Sequence, residues 1–325
     1  MPTYPDLKLY IGGEWRATPD TMPVLNPSDE SVLGALPIAR RTDLDDAIAA
    51  AAHGLKVWRA TSPRQRAEIM LRASALLRER NENVAFAISS ELGKPIQQAR
   101  LEVIRGCEFF EWDAGEAQRL YGRVIPSEPG IRYLTVRQPI GMVAAFSPWN
   151  FPMSQPARKI AGALAAGCSI ILKAAEETPG GAVHIAQAFH DAGLPPGVLN
   201  LVFGVPSDIS SYLIPQEQTR LIAFTGSTAV GRHLTGLAAQ HGKPVRGRGR
   251  QPLHQHAGSV RGPDAVRRRQ GQRLRPGGRR GRAAPLHGGQ DRVAQDGAVT
   301  SPRRSWFATW LVIQRRRVTC GRAAP

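Results

Sequence analysis

Between Pro139 and Gly242 the chain alternates short apolar runs with stretches of helical period. The runs are Met142–Phe146, Ser169–Leu172, Leu199–Phe203 and Leu221–Phe224. Each ends in turn or cap residues and leads into a segment of helix length, which predicts βαβ units and a parallel sheet. The runs are apolar on both parities, as strands covered on both faces require. The predicted fold class is therefore α/β.

The residues before this core read as smaller elements. Tyr10-Ile11-Gly12-Gly13-Glu14-Trp15 predicts a strand, a Gly turn and a return strand, and Asn26-Pro27 marks a turn. Thr42, followed by Asp43, Asp45 and Asp46, predicts the cap and acidic first turn of a helix running to about Trp58. Thr61-Ser62-Pro63 starts a second helix, with Ile69, Met70, Ala73, Leu76 and Leu77 on one stripe. A third stops at Leu92, before Gly93 and Pro95. A fourth places Val103, Cys107, Phe110 and Ala114 on one face, with Cys107 as core filler. From Gly122 to Gln138, aliphatic residues sit among Pro126, Pro129 and Gly130. That pattern predicts a projecting hairpin over 122–138, either an oligomer contact or a plain surface ribbon.

No run of 18 apolar residues is present, so no membrane span is expected. The first residues lack a basic region followed by an apolar core, so no secretory signal is expected. Cys107, Cys168 and Cys320 lie too far apart to suggest a disulfide framework or a metal site, which fits a reducing cytoplasm.

Charge changes this picture only once it is located. Of the net +17, residues 246–325 carry +16, from 19 Arg and three Asp with no Lys or Glu. The two parts have unrelated compositions, so the predicted domains are 1–245, a folded α/β domain, and 246–325, a basic Arg/Gly/Pro-rich tail. The tail has too few apolar residues to offset chain entropy, and disorder is the expectation for it. Within it, Trp306–Ile313 is a short apolar island.

Three places in the first domain carry candidate chemistry. Gly226-Ser227-Thr228-Ala229-Val230-Gly231 follows a strand and opens a helix, where a bare backbone, a hydroxyl and helix-start N–H groups suit a phosphate. The same residues also make an ordinary helix cap. Lys173, at the carboxyl end of its strand, has Glu176 three residues on; the pair suits ribose hydroxyls or is a surface ion pair. In Pro148-Trp149-Asn150-Phe151-Pro152 an Asn is pinned among prolines and aromatics. Its NH₂ suits a developing oxyanion, or it stabilises its own turn.

Taken in order, Pro-x-Gly-x-Val with Pro-Trp-Asn-Phe-Pro, Lys-Ala-Ala-Glu-Glu-Thr-Pro, Gly-Leu-Pro-Pro-Gly-Val-Leu-Asn and Phe-Thr-Gly-Ser-Thr-x-x-Gly resemble the aldehyde dehydrogenase superfamily. The resemblance runs from Tyr10 to Val245, about three quarters of the chain. It implies a Rossmann-like sheet that binds NAD(P)⁺, oxidation of a small aldehyde to the acid, and a homo-oligomer joined through the hairpin. It further implies that Lys173 and Glu176 hold the adenosine ribose and that Ser227 faces the pyrophosphate. Trp149, Phe224, Thr225 and Gly226 would line the cofactor site, and Asn150 would form one arm of the oxyanion hole. Glu176 would repel a 2′-phosphate, favouring NAD⁺ over NADP⁺. The local pattern around Arg158, eight residues after Asn150, resembles succinate-semialdehyde dehydrogenases, in which an Arg facing the substrate would pair with a carboxylate. The plain alternative is a surface Arg paired with an acid.

The resemblance stops inside a motif. Family chemistry needs a Cys in Gly-Gln-x-Cys and a Glu in Glu-Leu-Gly-Gly, and both should follow Val245. Instead Arg246-Gly247-Arg248-Gly249-Arg250 follows, and the last Glu in the chain is Glu217. Gly288-Gly289-Gln290 is followed by Asp291 with no Cys, and Cys320 has none of the motif around it. Two accounts of the tail compete. In one, a non-catalytic nucleotide-binding protein carries a basic appendage for nucleic acid or another polyanion. In the other, the reading frame has shifted, which accounts for both the abrupt break and the Arg, Gly, Pro and Ala bias. The arginines lack interleaved aromatics, so nucleic acid is not the expected partner.

Overall fold

The computed structural model describes residues 2–129 and 131–248, together with the backbone of 311–319. The chain opens with a hairpin of β1 (Leu9–Ile11) and β2 (Glu14–Arg16), turned by Gly12 and Gly13 at positive φ. A second hairpin, β3 (Thr21–Leu25) and β4 (Val32–Pro37), brackets the Asn26-Pro27 turn. Four helices follow: α1 (Arg41–Ala60), α2 (Pro63–Glu79), α3 (Asn81–Leu92) and α4 (Ile96–Ala117).

The local chemistry explains these limits. At α2, the Ser62 side chain accepts from Gln65 N–H while Gln65 accepts from Ser62 N–H, and Pro63 takes the first helical position. α3 stops at Gly93, which adopts φ 66°. The expected cap at Thr42 is corrected. Arg40 holds the cap position and helix α1 starts at Arg41, with the Asp43 carboxylate accepting from the N–H of Arg40 at 2.8 Å, which fixes the first turn two residues earlier.

The central sheet contains β7 (Met142–Phe146), β8 (Ile170–Lys173), β9 (Leu199–Val202), β10 (Thr219–Thr225) and β11 (Val245–Arg248). Its order is β11-β10-β7-β8-β9-β1-β2. The five strands β7 to β11 run parallel, and β1 and β2 extend the sheet antiparallel. Connecting helices are α5 (Ser154–Ala165), α6 (Gly180–Asp191), α7 (Pro206–Leu213) and α8 (Thr228–Gln240). All residues of β7, β8 and β9 are buried, as the uninterrupted apolar runs predict. The chain lays down β7, β8 and β9 in one direction, then returns to place β10 on the other side of β7. That reversal opens a crevice at the carboxyl ends of β7 and β10.

Helix α1 lies very close to the sheet. A Cβ at Gly54 would stand 2.4 Å from the Gly197 carbonyl carbon and 2.5 Å from Val198 N, both backbone atoms. Gly54→Ala must therefore push α1 off the turn before β9, and a loss of about 3 kcal/mol is expected. Urea unfolding measures it; a loss below about 1 kcal/mol would show that the helix shifts without strain.

The predicted hairpin forms from β5 (Arg123–Ile125) and β6 (Ile131–Pro139), paired antiparallel. Of the tail expected to be disordered, only 246–248 and 311–319 are among the described residues. β11 carries the sheet past Val245 to Arg248, and β12 (Leu311–Thr319) pairs antiparallel with β6, from Leu311 opposite Pro139 to Thr319 opposite Ile131. In both cases an open strand edge offers unpaired backbone groups, which an extended segment satisfies whatever its charge. The rest of the tail, including Gly288–Gln290, Trp306 and Cys320, lies outside the described residues.

Candidate functional site

A cleft of about 510 Å³ sits at the carboxyl ends of β7, β8 and β10, closed on one side by α7 and α8. Of the residues singled out in the sequence, Trp149, Lys173, Glu176, Phe224, Thr225, Gly226 and Ser227 all line it. The topology explains this meeting. Phe146 is in register with both Lys173 and Phe224, so the ends of three strands and the turns that follow them converge.

Lys173 is the last residue of β8 and only 4% exposed. Burial lowers its ammonium pKa, and Glu176 and Glu177 act against that shift. Its Nζ donates to Glu176 Oε2 at 2.5 Å. Glu176 Oε1 is buried and has no hydrogen-bond partner among the described residues. The pair is thus not a surface ion pair. It presents an unsatisfied carboxylate oxygen beside a cation already engaged, an arrangement that costs free energy until a donor arrives.

Ser227 caps α8, its hydroxyl oxygen accepting from Val230 N–H at 3.3 Å. The plain reading as a helix cap holds at this turn, and a hydroxyl that accepts from the helix can still donate outward. Gly226 is required by packing: a Cβ there would come within 2.6 Å of the Phe224 ring. A bare backbone before a helix start is also chemically suited to close approach of an anion.

The loop after β7 is pinned from three sides. Trp149 O accepts from Thr178 Oγ1 at 3.0 Å, and Asn150 O accepts from Lys94 Nζ at 3.3 Å. The buried Glu102 carboxylate accepts from Met153 N–H at 3.0 Å and Ser154 N–H at 3.1 Å, and it pairs with Lys94. Its negative charge also favours the N-terminus of α5. Trp149 remains 52% exposed, and the Asn150 side chain is exposed beside the cleft rather than lining it.

Helix α5 divides its charges between two sides. Arg158 faces α4, its guanidinium carbon 4.6 Å from the Phe109 ring centroid and close enough to Asp113 to hold that carboxyl down. Burial, then Glu116, push Asp113 the other way, and its pKa reaches about 7. Arg158 does not line the cleft. Lys159 points instead to β10 and donates to Thr225 Oγ1 at 2.9 Å. Burial, with Arg158 adding to it, lowers its pKa to about 7. Sequence reading missed Lys159. The available signal was its place on the apolar stripe of α5, between Pro156 and Ala163.

Cys107 and Cys168 are buried, as expected, and burial pushes both thiols up to about 11. Among the described residues no group of three or more His, Cys, Asp or Glu is placed to hold a metal, and no helix is long and apolar enough to cross a membrane.

The sequence model of the aldehyde dehydrogenase family matches residues 15–247. The chain is 42% identical over 241 residues to 4-(hydroxymethyl)benzenesulfonate dehydrogenase TsaD1 of Comamonas testosteroni, covering 73% of this chain and 50% of that protein. It is 38% identical over 239 residues to glutarate-semialdehyde dehydrogenase of Pseudomonas putida, again covering 73% and 50%. Among solved structures it superposes on succinate-semialdehyde dehydrogenase from Burkholderia pseudomallei with a TM-score of 0.72 and 38% identity, covering 74% of this chain and 50% of that one. The chain spans about half the length of the curated relatives it matches.

Proposed function

The chain belongs to the aldehyde dehydrogenase family, and on that premise we propose that its cleft binds the adenosine half of a nicotinamide dinucleotide, NAD⁺ in preference to NADP⁺. The observation that carries this reading is the buried, unpartnered Glu176 Oε1 beside Lys173. A ribose hydroxyl supplies the missing donor. Ser227 and the start of α8 face the pyrophosphate, where N–H groups and the helix dipole favour negative charge. Phe224, Thr225, Gly226 and Trp149 form the walls of the site. Glu176 and Glu177 set two carboxylates in the lining, which disfavours the 2′-phosphate of NADP⁺.

When bound, the dinucleotide supplies the hydride acceptor for aldehyde oxidation. Asn150 donates its side-chain N–H to the oxyanion that develops on the substrate carbonyl. Arg158 pairs with an anionic group at the substrate's other end, so the substrate class is an aldehyde carrying a distal carboxylate or sulfonate, such as succinate semialdehyde. Three relatives have names that fit this class, in their benzenesulfonate, glutarate-semialdehyde and succinate-semialdehyde parts. In the assembled enzyme the hairpin of β5 and β6 serves as an oligomer contact. In this chain the nucleophile and deacylating base of the family are missing from the sequence after Val245. We attribute the break to a shifted reading frame. Resequencing the codons for 243–250 tests that attribution, and an unambiguous frame would refute it.

Calorimetric titration of the full chain with ADP and with NAD⁺ tests the cleft. Saturable binding is expected, and absence of heat at millimolar ligand from folded protein would exclude it. Glu176→Gln keeps the shape but removes the charge. It should weaken ADP binding about tenfold, the size of a lost hydrogen bond to a charged group, and narrow the gap between NAD⁺ and NADP⁺. Unchanged affinity for both would remove Glu176 from the site.

A further inference from the structure

Two serine hydroxyls in the parallel sheet are buried without a hydrogen-bond partner among the described residues: those of Ser147 and Ser169. A buried hydroxyl left unsatisfied destabilises a fold, so each calls for an explanation. Their places differ. Ser169 precedes β8 at its amino end, 0% exposed, and only its carbonyl is used, accepting from Val143 N–H at 2.9 Å. Ser147 follows β7 at its carboxyl end, 8% exposed, and lines the cleft. Its N–H donates to Lys173 O at 3.2 Å, which fixes the residue beside the Lys173–Glu176 pair. It directly follows Phe146, which is in register with both Phe224 and Lys173, at the point where the strand order reverses.

We infer that the Ser147 hydroxyl is a further ligand-binding group of this cleft, holding one hydroxyl of a ribose vicinal diol whose other hydroxyl goes to Glu176. The inference rests on the nucleotide reading of the cleft. The two orphaned atoms are complementary to a diol. Glu176 Oε1 is a pure acceptor and takes the proton of one hydroxyl. Ser147 Oγ both donates and accepts, and matches the second hydroxyl in either sense. Lys173 spends one of its three N–H donors on Glu176 Oε2, and as a pure donor it leaves the accepting role toward the diol to Glu176 and Ser147. The cost of leaving Ser147 unsatisfied in the ligand-free protein is thereby offset on binding.

The test measures stability and binding on the full chain. Titrations use ADP, 2′-deoxy-ADP and 3′-deoxy-ADP with the parent protein, Ser147→Ala and Ser169→Ala, and ligand-free melting is recorded for each. Ser147→Ala is expected to melt at or above the parent temperature while binding ADP about five- to tenfold more weakly. It should also bind ADP and one of the two deoxy analogues with the same affinity, because the lost contact is to that hydroxyl. Ser147→Cys, which keeps the volume and weakens the hydrogen bond, should repeat the pattern in smaller measure. Ser169→Ala should leave the ADP affinity unchanged, as expected of a hydroxyl away from the cleft. Parent-like ADP affinity in Ser147→Ala, or an equal loss for ADP and both analogues, would overturn the assignment. A parent chain that binds none of the three would instead overturn the nucleotide reading, and this assignment with it.

Discussion

The purified 325-residue chain given succinate semialdehyde or glutarate semialdehyde and NAD⁺ is expected to form no NADH above the protein-free control. Hydride leaves the aldehyde only from a tetrahedral adduct, and the family builds that adduct with a thiolate. Cys107 and Cys168 are the only cysteines within the described residues; both are buried, and burial pushes their pKa to about 11. At neutral pH such thiols are almost wholly protonated, and neither lines the cleft. Gly-Gln-x-Cys and Glu-Leu-Gly-Gly are absent from the sequence, and no Glu follows Glu217. Removing a catalytic nucleophile alone costs a hydrolase about 10⁶ in kcat. Absorbance at the NADH maximum, followed for hours at high protein concentration, measures the rate directly. Turnover that scales with protein and survives repurification would mean that a nucleophile outside the described residues reaches the cleft.

The sheet was legible because its signal is local. The apolar runs that become β7 to β10 carry their own parity, and Gly93 and Ser62 punctuate helices through chemistry confined to four residues. The cleft was legible through the ends of those strands, since a residue placed just after a parallel strand is placed at the ligand-binding edge. Lys173, Glu176 and Gly226 all come from that rule together with the motif resemblance. What the sequence hid depends on packing between distant segments. Lys159 reaches Thr225 across 66 positions, and Glu102 caps α5 from 51 positions away. The stacking of Arg158 on Phe109 likewise needs the contact of α4 with α5 that no local pattern records. β12 was missed for a related reason. Its composition argues against a core, but strand pairing asks only for an open edge, which β6 supplies.

Glu91 provides the second large effect, through pH. It lies in α3, and burial raises its carboxyl from 4.5 to about 8, with hydrogen bonds from Tyr4 and Gly180 acting against that rise. Tyr4 Oη donates to Glu91 Oε1 at 2.5 Å and Gly180 N–H donates to the same oxygen at 2.7 Å, while Oε2 is buried without a partner. Because the folded pKa exceeds the unfolded one, the native state holds the proton more tightly. This contribution to stability is complete below about pH 4.5 and is lost as the pH rises through about 8. At about 1.4 kcal/mol per pH unit, the difference across the window is on the order of 5 kcal/mol. Other buried groups change stability over the same range, so the slope of the parent protein alone does not isolate Glu91. Asp113, raised to about 7, acts in the same direction, whereas Lys159, lowered to about 7, makes stability rise above that pH. Glu91→Gln separates the term. It keeps the acceptor for Tyr4 and Gly180 but cannot ionise, and those other groups remain in both proteins. Urea midpoints at pH 5 and pH 8.5 should show the parent losing several kcal/mol relative to Glu91→Gln at the higher pH. Parallel losses in the two proteins would place the titration elsewhere and leave Glu91 ionised in the fold at neutral pH.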